Sequence, residues 1–537
     1  MKIEISTEFF KNHLQSNVDP DSYLANLEST ARKYGSTDLQ VEVSKLTLDQ
    51  IQFMYEKAKE IGDKSLMSKI SAFRSTVANP ETATVPSLKA LQPALVAYFK
   101  KNYINGWVFK TGNSGFLDAY LVTNIKYDDN SGYNRTDSPP TVTISLIANS
   151  SYSDKFGLYK KDVTIYADDV VKKTVPGILA KFDIFHETAE LHGVYSEQLA
   201  QFQEYQPQFN KQFLATGVGL TEYTWRDVAV QMNNTKVINE EATVRRKFEE
   251  EADASFWRSR GVEDNFDKIP YHMHIRVFNL STHEQVWVHT TQLTPYVYKP
   301  ELREKLVLPE VHRDLIDVLV EDMDILMDDI IEGKSGGTTI LCSGMPGTGK
   351  TLSAEVYSEV IQKPLYRVHS GQLGIGAGEV EKNLEIVLKR SARWGAVLLI
   401  DEADVYIRQR GNDLEHNAVV AAFLRTLEYF SGLLFMTTNR SSDVDDAILS
   451  RCIAHIKYEA PNTNNAKRIW EVLMTQFGLE PDPQLVSQLV EKFPKATGRD
   501  IKELLKLTSR YAKAKEIPLN LEVFRKNAQF RAIEMVD

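Results

Sequence analysis

Apolar residues recur at helical spacing early in this chain, then alternate with polar ones, and finally gather into short unbroken runs. In residues 1 to about 105, Ile51, Met54, Tyr55 and Ala58 follow Thr47 three or four apart. Pro86-Ser87-Leu88-Lys89 opens a second such run that reaches Tyr98, so the whole region predicts helices. After Asn105 the pattern changes. Residues 119–125, 141–147 and 163–166 predict strands between loops rich in Asn, Asp, Ser and Pro, and 125–140 is the most loop-like stretch. The charged run 240–256 predicts a helix, on which Arg245, Arg246 and Lys247 meet Glu249, Glu250 and Glu251 on a salt-bridged solvent face. Residues 272–278 and 285–291 predict a hairpin, and 294–308 a connector. Residues 311–332 predict an amphipathic helix with Leu315, Leu319, Met323, Leu326 and Ile330 facing a core. Its other sides carry Asp314, Asp317, Glu321, Asp324 and Asp328, a solvated acidic face or, as the alternative, an acidic docking surface.

The unbroken runs carry the chemistry. Thr338-Thr339-Ile340-Leu341-Cys342 leads into Gly344-Met345-Pro346-Gly347-Thr348-Gly349-Lys350-Thr351, which fits G-x-x-x-x-G-K-[ST]. Between a strand and a helix, such glycines let backbone N–H groups turn onto a triphosphate. Lys350 would reach the β- and γ-phosphates, Thr351 would ligate Mg²⁺, and the following helix would present its positive end. Leu352 opens the helix-compatible segment 352–361 and counts with the loop among the nucleotide-binding residues. About fifty residues on, Val397-Leu398-Leu399-Ile400 ends in Asp401-Glu402. An apolar run without alternation suits a central parallel strand covered on both faces. At its tip Asp401 would hold the metal shell, and Glu402 would polarise the attacking water. A third run, 433–438, ends at Asn439, whose amide can orient that water. Then comes Asp445-Asp446-Ala447-Ile448-Leu449-Ser450-Arg451, a helix delivering an arginine too far along to reach its own nucleotide easily. Thr497-Gly498-Arg499-Asp500-Ile501 opens a later helix from which Arg499 could close over the phosphates.

In their order and spacing, GMPGTGKT, VLLIDEAD, LLFMTTNR, DDAILSR and TGRDIKELL resemble the AAA core of the AAA+ ATPases. The resemblance covers roughly 300–537 and is closest to a branch with long, divergent N-terminal regions. It implies an α/β P-loop NTPase fold, a parallel sheet of the AAA+ core with a C-terminal helical lid, behind an N-terminal region of mixed α+β character. It also implies ATP/ADP and Mg²⁺ as cofactors and a homo-oligomer, typically a hexameric ring, in which Arg451 is the arginine finger. The catalytic set is then Glu402, Asn439, Arg451 and Arg499, with Thr351 and Asp401 on the metal. Two departures stand out. Threading members carry an aromatic-hydrophobic-glycine pore loop, whereas 372–379 here has no aromatic and only Leu373 or Ile375 could grip a polypeptide. Many classical members also have a small residue where this chain has Arg499.

At 537 residues the chain exceeds one hydrophobic core. The expected division is a helical domain over 1–105, an α+β partner- or client-binding domain over 106–300, the nucleotide domain over 301–460 and a helical lid over 461–537. A hydrophobic share of 42% supplies a core for each. A net charge of -10 weighs against nucleic acid as the main partner. Cys342 and Cys452 are the only cysteines, which excludes a disulfide framework or a cysteine zinc site. The opening MKIEISTEFF lacks an apolar signal core, and no 18-residue apolar run occurs, so a soluble cytoplasmic protein without a membrane partner is expected.

Other chemistries find little support. His272, His274 and His289 could share one sheet face and hold zinc, but the sequence shows no obvious acidic orienter beside them, and His186 and His192 offer no better set. Neither G-x-S-x-G nor H-E-x-x-H occurs. The expectation is an ATP-hydrolysing remodeller whose residues 1–300 recognise a protein client. A nucleotide-controlled assembly switch that never threads polypeptide is the first alternative, and a nucleic-acid motor or loader is a more distant one.

Overall fold

The computed structural model describes residues 2–6, 23, 38–42, 46, 48–77, 83–112, 114–129, 139–150, 157–223, 226–244, 246–262, 266–321, 337–428, 430–440, 442–531 and 533–536. They form two compact units, Met1–Phe209 with Phe213–Pro295, and Asn210–Gln212 with Tyr296–Asp537.

The first unit starts with a strand pair that helical spacing does not foretell, Lys2–Ser6 antiparallel to Asp38–Glu42. Ile5, Leu39 and Val41 need a partner surface, and helices Leu48–Glu60 and Lys64–Val77 supply it with Ile51, Met54, Ala58, Leu66, Ile70 and Phe73. Helix Leu88–Asn102 begins where Ser87 accepts the Ala90 N–H, and it buries Leu91, Leu95 and Phe99. It packs on an antiparallel sheet ordered Gly157–Ile165, Thr141–Ser150, Leu117–Asp128, Trp107–Thr111, Ile184–His186. In Thr141–Ser150 the side chains of Val142, Ile144 and Leu146 point in while Thr141, Thr143 and Ser145 stay half-buried, which is the period-two pattern the sequence shows. The other face of that sheet, with Phe109, Ala119 and Leu121, meets Phe213, Val237, Ile275, Val277 and Val288 of a second five-stranded sheet in one core. The strand Leu117–Asp128 runs into the stretch expected to be loop, and 130–138 lie outside the described residues.

The hairpin forms as expected, His274–Asn279 against Gln285–His289. His272 precedes it. His274 and His289 sit directly opposite each other and, with His272, are buried. Their rings engage protein groups: His274 Nε2 with Ser114 Oγ at 2.9 Å, His289 Nδ1 with Thr291 Oγ1 at 2.8 Å, His272 Nε2 with the Ala119 carbonyl at 3.2 Å. Burial pushes all three below the usual histidine value, His289 to about 3. Among the described residues no cluster of three or more His, Cys, Asp or Glu side chains could hold a metal.

The run 240–256 is not one helix: among its described residues only Ser255 and Phe256 are α-helical, opening the short helix Ser255–Arg258. A single 3₁₀ turn, Glu241–Thr243, gives way to extended chain tied to 267–269 by Ala252 N–H to Asp267 O and Ile269 N–H to Glu250 O. The reason is burial. Glu241 is interior and takes Arg246 Nε at 2.5 Å and the Arg276 N–H at 2.7 Å, while the Arg246 guanidinium lies among Phe202, Phe248 and Trp287. Charges spaced as if for a solvent helix are thus divided between core and surface, and Arg246 belongs to the core.

The second unit holds the chemistry. Helix α1 (Glu310–Glu321) buries Ile316 and Val320, leaving Leu315 largely exposed and Leu319 only partly packed, so its inner face is turned by one residue from the expected one. Met323, Leu326 and Ile330 lie outside the described residues. Five parallel strands follow in chain order: β1 (Thr338–Gly344), β2 (Leu365–His369), β3 (Val397–Asp401), β4 (Leu433–Thr438) and β5 (Ala454–Tyr458). Their order across the sheet is β2-β3-β4-β1-β5. Four longer helices alternate with them: α2 (Lys350–Val360), α3 (Ala377–Trp394), α4 (Leu414–Leu427) and α5 (Asp446–Arg451). β3 and β4 are buried at every position, as strands covered on both faces must be. Helices α6 (Thr463–Gln476), α7 (Pro483–Lys492), α8 (Gly498–Lys515) and α9 (Leu521–Ala528) close a separate core around Trp470, Leu489, Leu504 and Phe524. At the start of the unit Tyr296 donates to Glu359 at 2.5 Å and the Lys299 N–H to the same carboxylate at 3.1 Å, fastening the connector to the far end of α2. Among the described residues no helix is long and apolar enough to cross a membrane.

Candidate functional site

β1, β3 and β4 are neighbours, so their carboxyl ends bring three loops to one edge of the sheet. Crevices at such strand ends are where open parallel sheets bind ligands. The loop after β1 carries Met345, Pro346 and Thr348, whose hydroxyl donates to the Met345 carbonyl at 2.9 Å. Gly349 enters α2 with φ 103°, a left-handed turn that a side chain resists. Gly347 has φ 84°, and a Cβ there would stand 2.7 Å from both Arg499 Cβ and Thr497 Oγ1. Leu352, on the first turn of α2, is exposed.

Lys350 is folded back onto this loop. Its Nζ donates to the Gly344 and Met345 carbonyls, each at 2.8 Å, and to Asn439 Oδ1 at 3.1 Å. Burial draws the ammonium below the usual lysine value, against the pull of Asp401 and Asp404.

At the tip of β3, Asp401 is buried and accepts from three sides: Thr351 Oγ1 at 2.9 Å, the Thr437 hydroxyl, and Arg367 Nη2 at 2.5 Å. Burial alone would raise its carboxyl, but these hydrogen bonds outweigh it and hold the group below the usual carboxylate range. Glu402 follows with φ 56°, exposed, its N–H held by Thr437 Oγ1 at 3.1 Å. Left-handed backbone in a glutamate is strained and recurs at functional sites. Asn439 receives Lys350, and its own N–H reaches Asp404 Oδ1 at 3.3 Å. From the C-terminal helices, Thr497 caps α8 and the Arg499 N–H donates to the Gly347 carbonyl at 3.2 Å, so the start of α8 rests on the phosphate loop.

Gly344 to Leu352, Asp401, Glu402, Asn439 and Arg499 are therefore gathered. Arg451 is placed elsewhere, at the end of α5, exposed, with its guanidinium on the Ala447 carbonyl at 3.3 Å and 3.9 Å from Glu428. Leu373 is fully buried, so of the two residues expected to grip a polypeptide only Ile375 projects, 86% exposed.

Sequence reading missed several members. Arg367 is the largest omission; a basic residue amid the apolar β2 run was its signal. Asp404 accepts from Thr438 and Asn439 and steadies the tip of β4. Arg410 grips buried Asp445 through Nε at 2.8 Å and Nη2 at 3.1 Å, while Asp445 also caps α5 at the Ala447 N–H. We expect Asp445→Ala to cost about 2 kcal/mol, from the lost cap and an unpaired arginine. Asp445→Asn, which keeps a cap, should lose about half as much; thermal melting of both variants checks it.

A glycine-rich loop between β1 and α2, a hydroxyl beside a carboxylate at the tip of β3, and an amide at the tip of β4 together define a P-loop nucleotide-binding domain. Residues 340–460 match the family model described as ATPase family associated with various cellular activities (AAA). Residues 340–460 therefore form an AAA-type ATPase domain. The chain is 28% identical over 197 residues to the ATPase family AAA domain-containing protein FIGL1 of Arabidopsis thaliana, a match covering 34% of this chain and 28% of that protein. It is 32% identical over 183 residues to the ATP-dependent zinc metalloprotease FtsH of Acholeplasma laidlawii, covering 31% and 28%. A putative 26S proteasome regulatory subunit homolog of Methanothermobacter marburgensis is 30% identical over 192 residues, covering 33% and 50%. The chain thus spans between about a quarter and a half of the length of these relatives.

Proposed function

We propose that this protein hydrolyses ATP with Mg²⁺ in a ring of like subunits and uses the cycle to remodel a protein client or assembly recognised by residues 1–300. The observation that carries the reading is the convergence of Lys350, Asp401, Glu402 and Asn439 at one sheet edge, with Arg499 brought to the same loop by α8. Thr351 Oγ1 and Asp401 Oδ1, 2.9 Å apart, are hard oxygen donors, and so few protein ligands fit Mg²⁺, which keeps most of its waters. Held there, Mg²⁺ would supply neutralisation of the phosphate charge.

The chain's own groups do the rest. Lys350 leaves the loop carbonyls for the phosphates, and Asn439, released from it, orients the attacking water. Glu402 accepts that water's proton. Arg499 closes the helices 461–537 over the γ-phosphate as a lid. Arg451, exposed beside Ala447 and Glu428, serves a neighbouring subunit; an arginine supplied in this way is worth roughly 10³–10⁵ in rate where it operates.

A second reading keeps the same site but no threading: a nucleotide-controlled assembly switch. Its support is the loop tip, where Ile375 stands as the single projecting apolar side chain between Gly374 and Gly376. Mass photometry tests the shared-site mechanism. With ATP–Mg²⁺ the species should shift toward about six subunits, and Arg451→Ala should preserve nucleotide binding while removing most turnover. A protein that stays monomeric with ATP would overturn the trans arrangement.

A further inference from the structure

Arg367 lies on β2, the outermost strand beside β3, and its side chain reaches across to the tip of β3. There Nη2 donates to Asp401 Oδ2 at 2.5 Å, while Nη1 lies 3.7 Å from Glu355 Oε1. Glu355 is one helical turn beyond Thr351 on α2, so the arginine sits between two carboxylates that flank the metal-binding hydroxyl. The division at Asp401 is specific. Oδ1 takes the hydroxyls of Thr351 and Thr437, whereas Oδ2 takes the guanidinium. Without the arginine, a buried aspartate and a nearby glutamate would form an oxygen-rich anionic pocket, which attracts divalent cations by itself.

We propose that Arg367 is a built-in counter-cation for the metal-binding carboxylate. It orients Asp401 through Oδ2 in the nucleotide-free site and balances the charge of the carboxylates there, so that a divalent cation is accepted only together with the negative charge of the nucleotide. Arg367 is thus a positioning residue that couples metal occupancy to nucleotide occupancy. The inference rests on the ATPase reading given above.

The test is a titration of nucleotide-free protein with Mn²⁺ alone, followed by loss of the free-ion EPR signal, for wild type, Arg367→Gln, Arg367→Ser and Arg367→Lys. Removing a positive charge this close to the cation should tighten binding of bare Mn²⁺ by about tenfold or more in the two neutral variants, after discounting for the half-exposed guanidinium. Arg367→Lys should stay within about threefold of wild type. In the presence of ADP the difference between wild type and Arg367→Gln should shrink, because the nucleotide then supplies the balancing charge. Two neutral variants guard against one that folds poorly, and β2 is an edge strand on which such changes are tolerated.

Bare Mn²⁺ binding that is equally weak in wild type and both neutral variants would overturn the proposal. So would equal tightening in Arg367→Lys, which would show a steric cause instead of an electrostatic one. Failure of the underlying reading looks different: wild type would then bind no fluorescent ATP analogue, and Asp401→Asn would leave Mn²⁺–nucleotide binding unchanged.

Discussion

Glu402→Gln should lower ATP turnover by about 10²–10⁴-fold while ATP stays bound. The substitution is nearly isosteric and leaves the backbone of the β3 tip intact, including the N–H held by Thr437. It also leaves the contacts of Lys350 with the Gly344 carbonyl and of Thr351 with Asp401, the groups proposed to hold phosphates and metal. What disappears is a basic carboxylate at an exposed, left-handed position beside the buried Asp401. Binding and chemistry therefore separate, and the variant should carry ATP through gel filtration where wild type carries ADP. A turnover number close to wild type would remove Glu402 from the role of general base.

Acid should open the first unit before the second. His272, His274 and His289 are buried and desolvation holds them neutral, and charge on His274 or His289 would also be repelled by neighbouring histidines. Their folded values lie below the unfolded value of roughly 6.5, so the unfolded chain takes up protons first as pH falls. Stability is complete above that value and declines below it, continuing toward the folded values, of which that of His289 is about 3. Each histidine costs about 1 kcal/mol between pH 6.5 and 5.5, where the unfolded imidazole is still filling with protons, so the three together cost up to about 3 kcal/mol. Asp118, buried beside His272 and raised by that burial, acts in the opposite sense, one group against three. Lys161 and Arg246, the cations in reach, add to the repulsion. Peptide-resolved hydrogen exchange at pH 7.5 and 5.5 reads the outcome. Equal protection of the two units at pH 5.5 would contradict it.

The nucleotide-binding half was legible because its constraints are local. A phosphate loop needs glycine at fixed offsets, and a strand covered on both faces must be apolar throughout, so Gly344 to Thr351 and the β3 and β4 runs announce themselves. Groups that act across the sheet do not. Arg367 reaches Asp401 and Arg410 reaches Asp445 from far along the chain, and no spacing rule predicts either pair. In the first half, patterning found the helices at Leu48 and Leu88 and the central hairpin. It failed at Lys2–Ser6, a strand too short to show a period, and at 240–256, where charge spacing imitates a surface helix. Glu241 and Arg246 are interior because each completes the other, a compensation visible only in three dimensions. Helix α1 shows a subtler limit: the apolar stripe was seen, but Ile316 and Val320, one residue along from Leu315 and Leu319, are the ones buried.

The bonds from Tyr296 and Lys299 to Glu359 give α2 a second office. A helix is stiff along its axis, and Lys350 and Glu359 lie roughly 14 Å apart on one such rod. One end carries Lys350 and the glycine-rich loop, and the other is bonded to Tyr296 and Lys299. If ATP moves that loop as proposed, the rod would carry the displacement to residues 296–299, as a pushrod delivers a cam's stroke. Tyr296→Phe and Glu359→Gln would slacken the lashing at one end only, leaving the seat of the nucleotide untouched.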